Sequence, residues 1–467
     1  MSVVGPRGRI LTMVAVGVLG AGCGTAEPQQ GAAEPQQEEL PRQSTPQSSS
    51  PGWSATGIML PGTVNSDELN DVVVEPSTGN VLVAGYENGL LGMASVDPSG
   101  NARGIIMRYD SNLFLLDKIS IDSSLSAEVV EALALSPSSQ DIYFTGRTTG
   151  SFNATPNAGQ FDTLAGWVDA TNSKKIFQFG HQRPEHPVRL AVDPNGALIV
   201  SGHTDTYIPS NYVEAWEDPF VLKLNRGTAT NGTPTLTPAW EVLYNTSASD
   251  VLPGLTVDSS ANIYVSGANP NGTSRGMYVK QLTPSGATGW YSQQSIVSLD
   301  MAAALSISPL DGNNLLMAGS TYALLGKQQF GQQDAVVRML DKNTRAILWT
   351  QQFGSAESEW VTDMTQDAQG NIYVVGETLG SVDPLVQPQG DYDIFVIKLD
   401  SNGLNPQVFQ IGSSMDDHPS AVAVDANGTI YVVGYSSGSL FQGQTNKGSH
   451  DAFLLKLVPP GSGGIGI

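Results

Sequence analysis

The chain holds one cysteine in 467 residues, Cys23, so no internal disulfide can staple it. Basic residues are scarce: 22 Lys plus Arg stand against 44 Asp plus Glu, a net charge of −22, and no basic stripe runs along the sequence. Nucleic acid is therefore not an expected partner. The apolar run Ile10–Leu19 is too short for a bilayer-spanning helix, which needs about 20 residues. There is no Walker-type phosphate loop, no HExxH and no CxxC. The five histidines, His181, His186, His203, His418 and His450, lie apart in sequence and read as solvated side chains more readily than as metal ligands. Composition and motifs thus point away from an enzyme. No cofactor is expected, and Ca²⁺ is the only ion the acidity suggests.

What the chain has is a repeat. The phrase "DAQGNIYVVG" (367–376) returns as "DANGTIYVVG" (425–434), and "DPNGALIVSG" and "DSSANIYVSG" end at Gly202 and Gly267. Looser copies end at Gly85, Gly146 and Gly319, so the closing glycines lie 52 to 65 residues apart. A period of this size sets the architecture before any other reading. In the sixth copy, "DAVVRMLD", "ILWTQQFG", "WVTDMTQD" and "GNIYVVG" are four short apolar strands separated by turn residues. The second of these strand types recurs around Trp53, Phe114, Phe177, Trp240, Trp290, Trp349 and Phe409, a column with four of the seven tryptophans.

Seven four-stranded antiparallel sheets predict an all-β, seven-bladed β-propeller. The chain opens with a lone strand of that second type, "WSATGIML" (53–60), and ends with a lone strand of the first type, "DAFLLKL" (451–457). Pairing the two would close the ring and hide an edge that otherwise templates aggregation. The predicted divisions are 1–22 signal peptide, 23–50 tether, 51–459 propeller and 460–467 flexible tail.

Arg7 and Arg9, the short apolar run and the small residues before Cys23 have the form of a secretory signal. The segment "GAGC" resembles a bacterial lipobox. That resemblance implies cleavage before Cys23 and lipid attachment, palmitate included, at its sulfur, with each buried CH₂ worth about 0.8 kcal/mol of membrane binding. Leu19 stands one residue earlier than the lipobox pattern has it. Residues 24–50 are rich in Pro, Gln, Ser and Glu, and such a composition stays unfolded. As a random coil it would hold the body roughly 30 Å from the membrane. Gly24 follows the cysteine where inner-membrane lipoproteins of enterobacteria carry aspartate, which points to the outer membrane, facing periplasm or cell surface.

The segments "GNIYVVGETLGS … DIFVIKLDSNG" and "GTIYVVGYSSGSLF … DAFLLKL" resemble the SBBP-type propeller repeat of bacterial envelope proteins. The resemblance implies a propeller and export, and no catalytic residues. "DKNTRAILW" (341–349) is similar to the D–x–x–T–x₄–W element of quinoprotein propellers, but a single copy in seven repeats argues against a quinone cofactor.

Two features are candidates for a site. Each blade-to-blade junction carries a carboxylate: Asp67 with Glu68, Glu128, Glu185, Asp250, Asp300, Glu357 with Glu359, and Asp416 with Asp417. On one face of a propeller they could concentrate field for a cation or basic peptide. They could equally cap backbone N–H groups, as repetition in every blade suggests. The second feature breaks the repeat: Tyr207, Tyr212 and Trp216 follow Gly202, and Tyr322 and Phe330 follow Gly319. Exposed rings beside carboxylates suit glycan stacking or peptide docking. Arg108, Lys223, Lys280, Arg338, Lys398 and Lys456 form one column, read as ion-paired or snorkelling positions.

The expected function is that of a monomeric, lipid-anchored binding scaffold of the cell envelope. It would take a protein, peptide or glycan on an acidic face with aromatic residues. The alternatives are a propeller lyase or hydrolase acting on a polysaccharide, and a scaffold for outer-membrane assembly.

Overall fold

The structure, a computed structural model, describes residues 52–60, 65–89, 102–123, 126–137, 140–153, 155–205, 217–244, 253–269, 276–295 and 300–460. Its 28 strands form seven four-stranded antiparallel sheets, the seven blades of a propeller. Blade 1 runs Ser66–Val74, Val81–Gly89, Arg103–Tyr109 and Leu115–Ile121 from the channel outward. The innermost strands of the next five blades are Glu128–Leu135, Glu185–Val192, Gly254–Val257, Met301–Ile307 and Glu359–Gln366, each followed by its second, third and outer strands. Blade 7 takes Asp417–Val424, Ile430–Ser436 and Asp451–Val458 from the end of the chain, and its outer strand, Ser54–Met59, from the beginning. The register runs from Ser54 opposite Val458 to Met59 opposite Phe453, so the two lone strands close the ring as expected. The predicted signal and tether, 1–50, and nearly all of the tail lie outside the described residues.

The core is not one mass but seven layers. Each interface between adjacent blades holds its own buried apolar cluster. Alternating residues of a strand face opposite neighbours, so both faces of every sheet are apolar.

The repeated phrase now has a physical meaning. In "DAQGNIYVVG", Asp367 Oδ1 accepts the N–H groups of Gln369 and Asn371, and Gly370 turns the chain at φ +78°. Asp367 Oδ2 accepts the Tyr373 hydroxyl at 2.9 Å, tying the turn to the strand it starts. The closing glycine answers a bulge. In six blades the innermost strand shifts register just after the residue opposite Gly85, Gly146, Gly202, Gly319, Gly376 or Gly434. The bulge drives a carbonyl into that glycine: a Cβ would lie 1.9 to 2.2 Å from the oxygen of Glu68, Val129, His186, Met301, Trp360 or His418. Only a residue without a side chain fits.

One side chain crosses the central channel. Arg189 of blade 3 meets Asp363 of blade 6 at 3.0 Å and donates to the carbonyls of Pro253 (2.8 Å) and Thr362 (3.2 Å). Burial pushes nearby Asp71 up to about 6, although the Leu133 N–H and Arg189 favour its charged form.

Replacing Gly376 with alanine should cost about 3 kcal/mol, because neither the Trp360 carbonyl nor the Phe395 ring at 2.6 Å can yield without disturbing the bulge. Urea unfolding would register this as a lower midpoint with an unchanged slope. An unchanged midpoint would show that the bulge relaxes.

Candidate functional site

The junction acids lie at the start of the innermost strands, where each crossover delivers the chain to the next blade. Asp67, Glu128, Glu185, Asp300, Glu359 and Asp417 are all between 0% and 4% exposed. Asp250 lies outside the described residues, as do Tyr207, Tyr212 and Trp216. The described acids turn inward onto the crossover and second strand. Glu359 accepts the Ser355 N–H (3.0 Å) and the hydroxyls of Ser355 and Thr378 (2.5 and 2.8 Å). Glu128 accepts the hydroxyls of Ser123, Ser126 and Thr148 at 2.6 to 2.9 Å. Asp417 accepts the Ser413 N–H and the Ser436 hydroxyl, Asp300 the Tyr322 N–H (2.8 Å), and Glu185 the His181 N–H (2.8 Å). Asp67 donates its N–H to the His450 carbonyl at 3.1 Å.

A second buried acid opens the third strand of most blades: Asp162, Asp218, Asp334, Asp393 and Asp451. Three of these are held by a glutamine from the outer strand, Gln178, Gln352 or Gln410, at 2.7 to 2.9 Å. The same amides cap the loop before the third strand, as Gln410 does for the Val382 and Asp383 N–H groups. The glycine two residues later, Gly180, Gly354 or Gly412, packs against the third-strand acid, and at Gly354 the two kinds of acid meet. A Cβ on Gly354 would stand 2.5 Å from Asp334 Oδ1 and 2.6 Å from Glu359 Oε2. Burial, then the charges of Asp162 and Glu241, push Glu185 up to about 9 against the single His181 hydrogen bond. Asp417 rises to about 7 and Asp393 to about 6, in both mainly by burial. Asp300, Glu359 and Asp451 also move up, with burial the largest cause. Glu185 Oε2 and Asp300 Oδ2 have no hydrogen-bond partner.

The basic column is likewise structural in its contacts. Arg108 pairs with Glu75 (3.1 Å), Lys223 with Asp193 (2.8 Å), and Lys456 donates to the Ser111 carbonyl (2.6 Å). Lys280 lies 3.9 Å from the centre of the Tyr244 ring and Lys398 lies 5.8 Å from that of Tyr373.

The residue after each junction acid points to the opposite side of the strand, and there the blades differ. In blades 6 and 7 it is Trp360 and His418. A continuous row of rings results: Trp360–Tyr392 (5.6 Å between centroids), Tyr392–His418 (5.2 Å), His418–Tyr435 (4.9 Å) and Tyr435–His450 (4.5 Å). Tyr435 stands opposite His418 in the ladder, and Tyr392 and His450 immediately precede third strands. Two glutamates fasten the histidines: His418 Nδ1 to Glu377 Oε2 at 2.6 Å and His450 Nε2 to Glu68 Oε1 at 2.8 Å. Burial disfavours the His418 imidazolium, yet its pKa is raised, because the hydrogen bond and charge of Glu377 and the nearby Asp416 and Asp417 outweigh burial. Tyr392 is raised by burial and by Glu377, Asp416 and Asp391. Asp391 is exposed and Asp416 half-exposed, so the row has a carboxylate rim.

A smaller cluster sits in blades 2 and 3. The His186 and His203 rings stack at 5.0 Å, Arg147 donates to His186 Nδ1 (2.6 Å), and Arg147 pairs with Glu131 (3.3 Å). His186, His203 and His418 therefore belong to strands and interact with their neighbours, unlike the solvated side chains expected from sequence. Tyr322 and Phe330 are exposed at the rim of blade 5. Among the described residues no three His, Cys, Asp or Glu side chains form a group suited to a metal ion. The string "GYSSG" (434–438) fits G-x-S-x-G, but Ser436 ends a strand, is buried and donates to Asp417, so it does not form a nucleophile elbow. A second such string, 272–276, lies almost wholly outside the described residues.

The chain is thus an all-β propeller of seven four-stranded blades, and the SBBP β-propeller repeat model matches its residues 348–382. No curated protein matches it significantly in sequence. Among solved structures it is similar to Sqt1 from Chaetomium thermophilum (11% identity, TM-score 0.44, 80% of this chain and 82% of that one). It is also similar to XC5397 from Xanthomonas campestris, a gluconolactonase (12%, TM-score 0.37, 89% and 97%), and to the polysaccharide lyase Uly1 (11%, TM-score 0.43, 86% and 90%). These neighbours mix enzymes with other proteins at low identity, and they carry no argument about function.

Glu377→Gln removes the charge that does most to raise the His418 pKa. NMR titration should find the His418 pKa lowered, since burial is then opposed only by Asp416 and Asp417. An unmoved pKa would show that Glu377 is not the cause.

Proposed function

We propose that this propeller is a non-enzymatic, lipid-anchored envelope protein that captures a basic peptide or protein segment on its crossover face. The supporting observation is the Trp360–Tyr392–His418–Tyr435 row with Asp391 and Asp416 at its rim. The Trp360, Tyr392 and Tyr435 ring faces carry negative quadrupole potential and Glu377 offsets the charge of His418, so Lys or Arg side chains gain from those three rings and the carboxylate rim together. The net charge of −22 adds long-range attraction for such a segment. The buried junction acids contribute by fixing the blades that present the row, and do not themselves meet solvent. In this reading Cys23 and the 23–50 tether hold the body off the outer membrane. The protein acts as a monomer without a cofactor.

The polysaccharide lyase or hydrolase reading has one observation in its favour, the His418–Glu377 pair beside Tyr435, a possible acid–base set. It would need turnover of a polysaccharide to stand.

Titrating the full-length protein with a short Lys/Arg-rich peptide should show binding that weakens as salt rises. Asp391→Asn with Asp416→Asn should weaken it about tenfold, equivalent to about 1.4 kcal/mol, without lowering the melting temperature. Failure of the peptide to bind, or binding indifferent both to these changes and to Trp360→Ala, would overturn the proposal.

A further inference from the structure

Two tryptophans of the outer-strand column, Trp240 and Trp349, are each faced by a glycine-containing turn of the next blade. Above Trp240 lies the turn 283–287, whose Gly286 would bring a Cβ within 2.9 Å of the indole, and Trp240 Nε1 donates to the Pro284 carbonyl at 3.0 Å. Above Trp349 lies the turn 400–404, where a Cβ on Gly403 would come within 2.8 Å. In blade 6 the column residue is Phe409, and Trp53 covers it at 5.4 Å.

Trp290 of blade 4 is different. The turn that should cover it, 341–346, is one residue longer: the Asp341 N–H reaches the Ala346 carbonyl, where the Asp400 N–H reaches only to Leu404. It has no glycine, and Arg345 takes the left-handed position at φ +66°. Lys342 swings across to Asp258 Oδ2 at 3.1 Å. The result is a cleft of about 510 Å³ between blades 4 and 5, lined by Asp258, Asn262, Gln281, Trp290, Lys342 and Asn343 among others. It is within the roughly 300–1,000 Å³ of small-molecule sites.

We infer that this cleft is a binding site for a neutral pyranose of a glycan. Trp290 is half-buried and gives one wall an aromatic surface, tilted 53° against Tyr264 at 5.9 Å. Sugar C–H bonds, slightly positive, pack against such a π-face. The other wall offers the amides of Asn262, Gln281 and Asn343, which donate and accept, and the Asp311 carboxylate, which accepts, as vicinal hydroxyls require. Asp258 is already fixed by the Asn262 amide (3.1 Å), the Tyr264 hydroxyl (2.9 Å) and Lys342, so this wall is held in place before a ligand arrives. Asp258 and Asp311 against Lys342 leave the cleft with one net negative charge, which disfavours uronates and phosphosugars. Its placement owes nothing to the ring row on the crossover face, so the two sites stand or fall separately.

The test is saturation-transfer NMR on the full-length protein with maltotriose, cellotriose, mannotriose, triacetylchitotriose and, as an anionic comparison, trigalacturonate. At least one neutral trisaccharide should bind, with trigalacturonate weaker. Trp290→Ala should reduce affinity about tenfold or more, about 1.4 kcal/mol. Asn343→Ala, an exposed change with little bearing on folding, should reduce it as well, whereas Trp360→Ala should leave it intact. Absence of binding by every neutral sugar, preference for trigalacturonate, or binding unaffected by both Trp290→Ala and Asn343→Ala would overturn the inference.

Discussion

A carboxyl buried at each described crossover is the interaction on which the rest of this structure depends. A propeller needs its blades set at a fixed angle, and the crossover is the only covalent link between neighbours. Glu128, Glu185, Asp300, Glu359 and Asp417 turn that link into a hydrogen-bonded joint by drawing crossover N–H groups or hydroxyls, and in several blades the second-strand Ser or Thr, onto one side chain. The acid that opens the third strand and its glutamine extend the joint across the whole sheet in blades 2, 5 and 6. Where the two kinds of acid crowd together, as at Gly354, burial and then the charge of Asp334 raise the Glu359 pKa.

This joint also creates the candidate face. A strand alternates, so an acid aimed inward forces the next residue to the other side. In blades 2 and 5 that position carries Val129 and Met301, and in blades 1 and 3 it carries Glu68 and His186. Blades 6 and 7 place Trp360 and His418 there, and the segments before their third strands supply Tyr392 and His450. The row is thus assembled from residues far apart in sequence at equivalent points of two repeats. Its rigidity comes from the joint and its chemistry from departures from the repeat.

Much of the fold was legible beforehand because a repeat of short apolar strands admits few solutions. The phase of the first and last strands dictated closure through Ser54–Met59 and Asp451–Val458. The function of "VVG" was less legible: glycine at the end of the phrase answers a bulge in a different strand, visible only once Gly376 faces Val361. For the junction acids the positions could be read but not their direction, since a carboxylate at a crossover can face water or backbone with the same sequence. The ring row was not legible because only its histidines, His418 and His450, stand out, and nothing local marks Trp360, Tyr392 and Tyr435 as neighbours. The only available signal was that the residue after the junction acid varies while the acid persists. Whether Trp290 is roofed hung on a single extra residue in the turn 341–346.

The central claim is that buried carboxyls, with those of Glu185 and Asp417 raised farthest, hold the ring, and the pH dependence of unfolding tests it most directly. Glu185 and Asp417 have folded values near 9 and 7, while an unfolded chain titrates its carboxyls near 4. Between those limits the folded state binds more protons, so stability is fullest at the acid end of the window and is lost as pH rises through the folded values. His418, also raised, works in the same direction. The account predicts a denaturation midpoint that falls steadily from pH 5 to pH 9, with the part of the fall above pH 7 reduced in Glu185→Gln. A midpoint that stays level or rises over that range would contradict it.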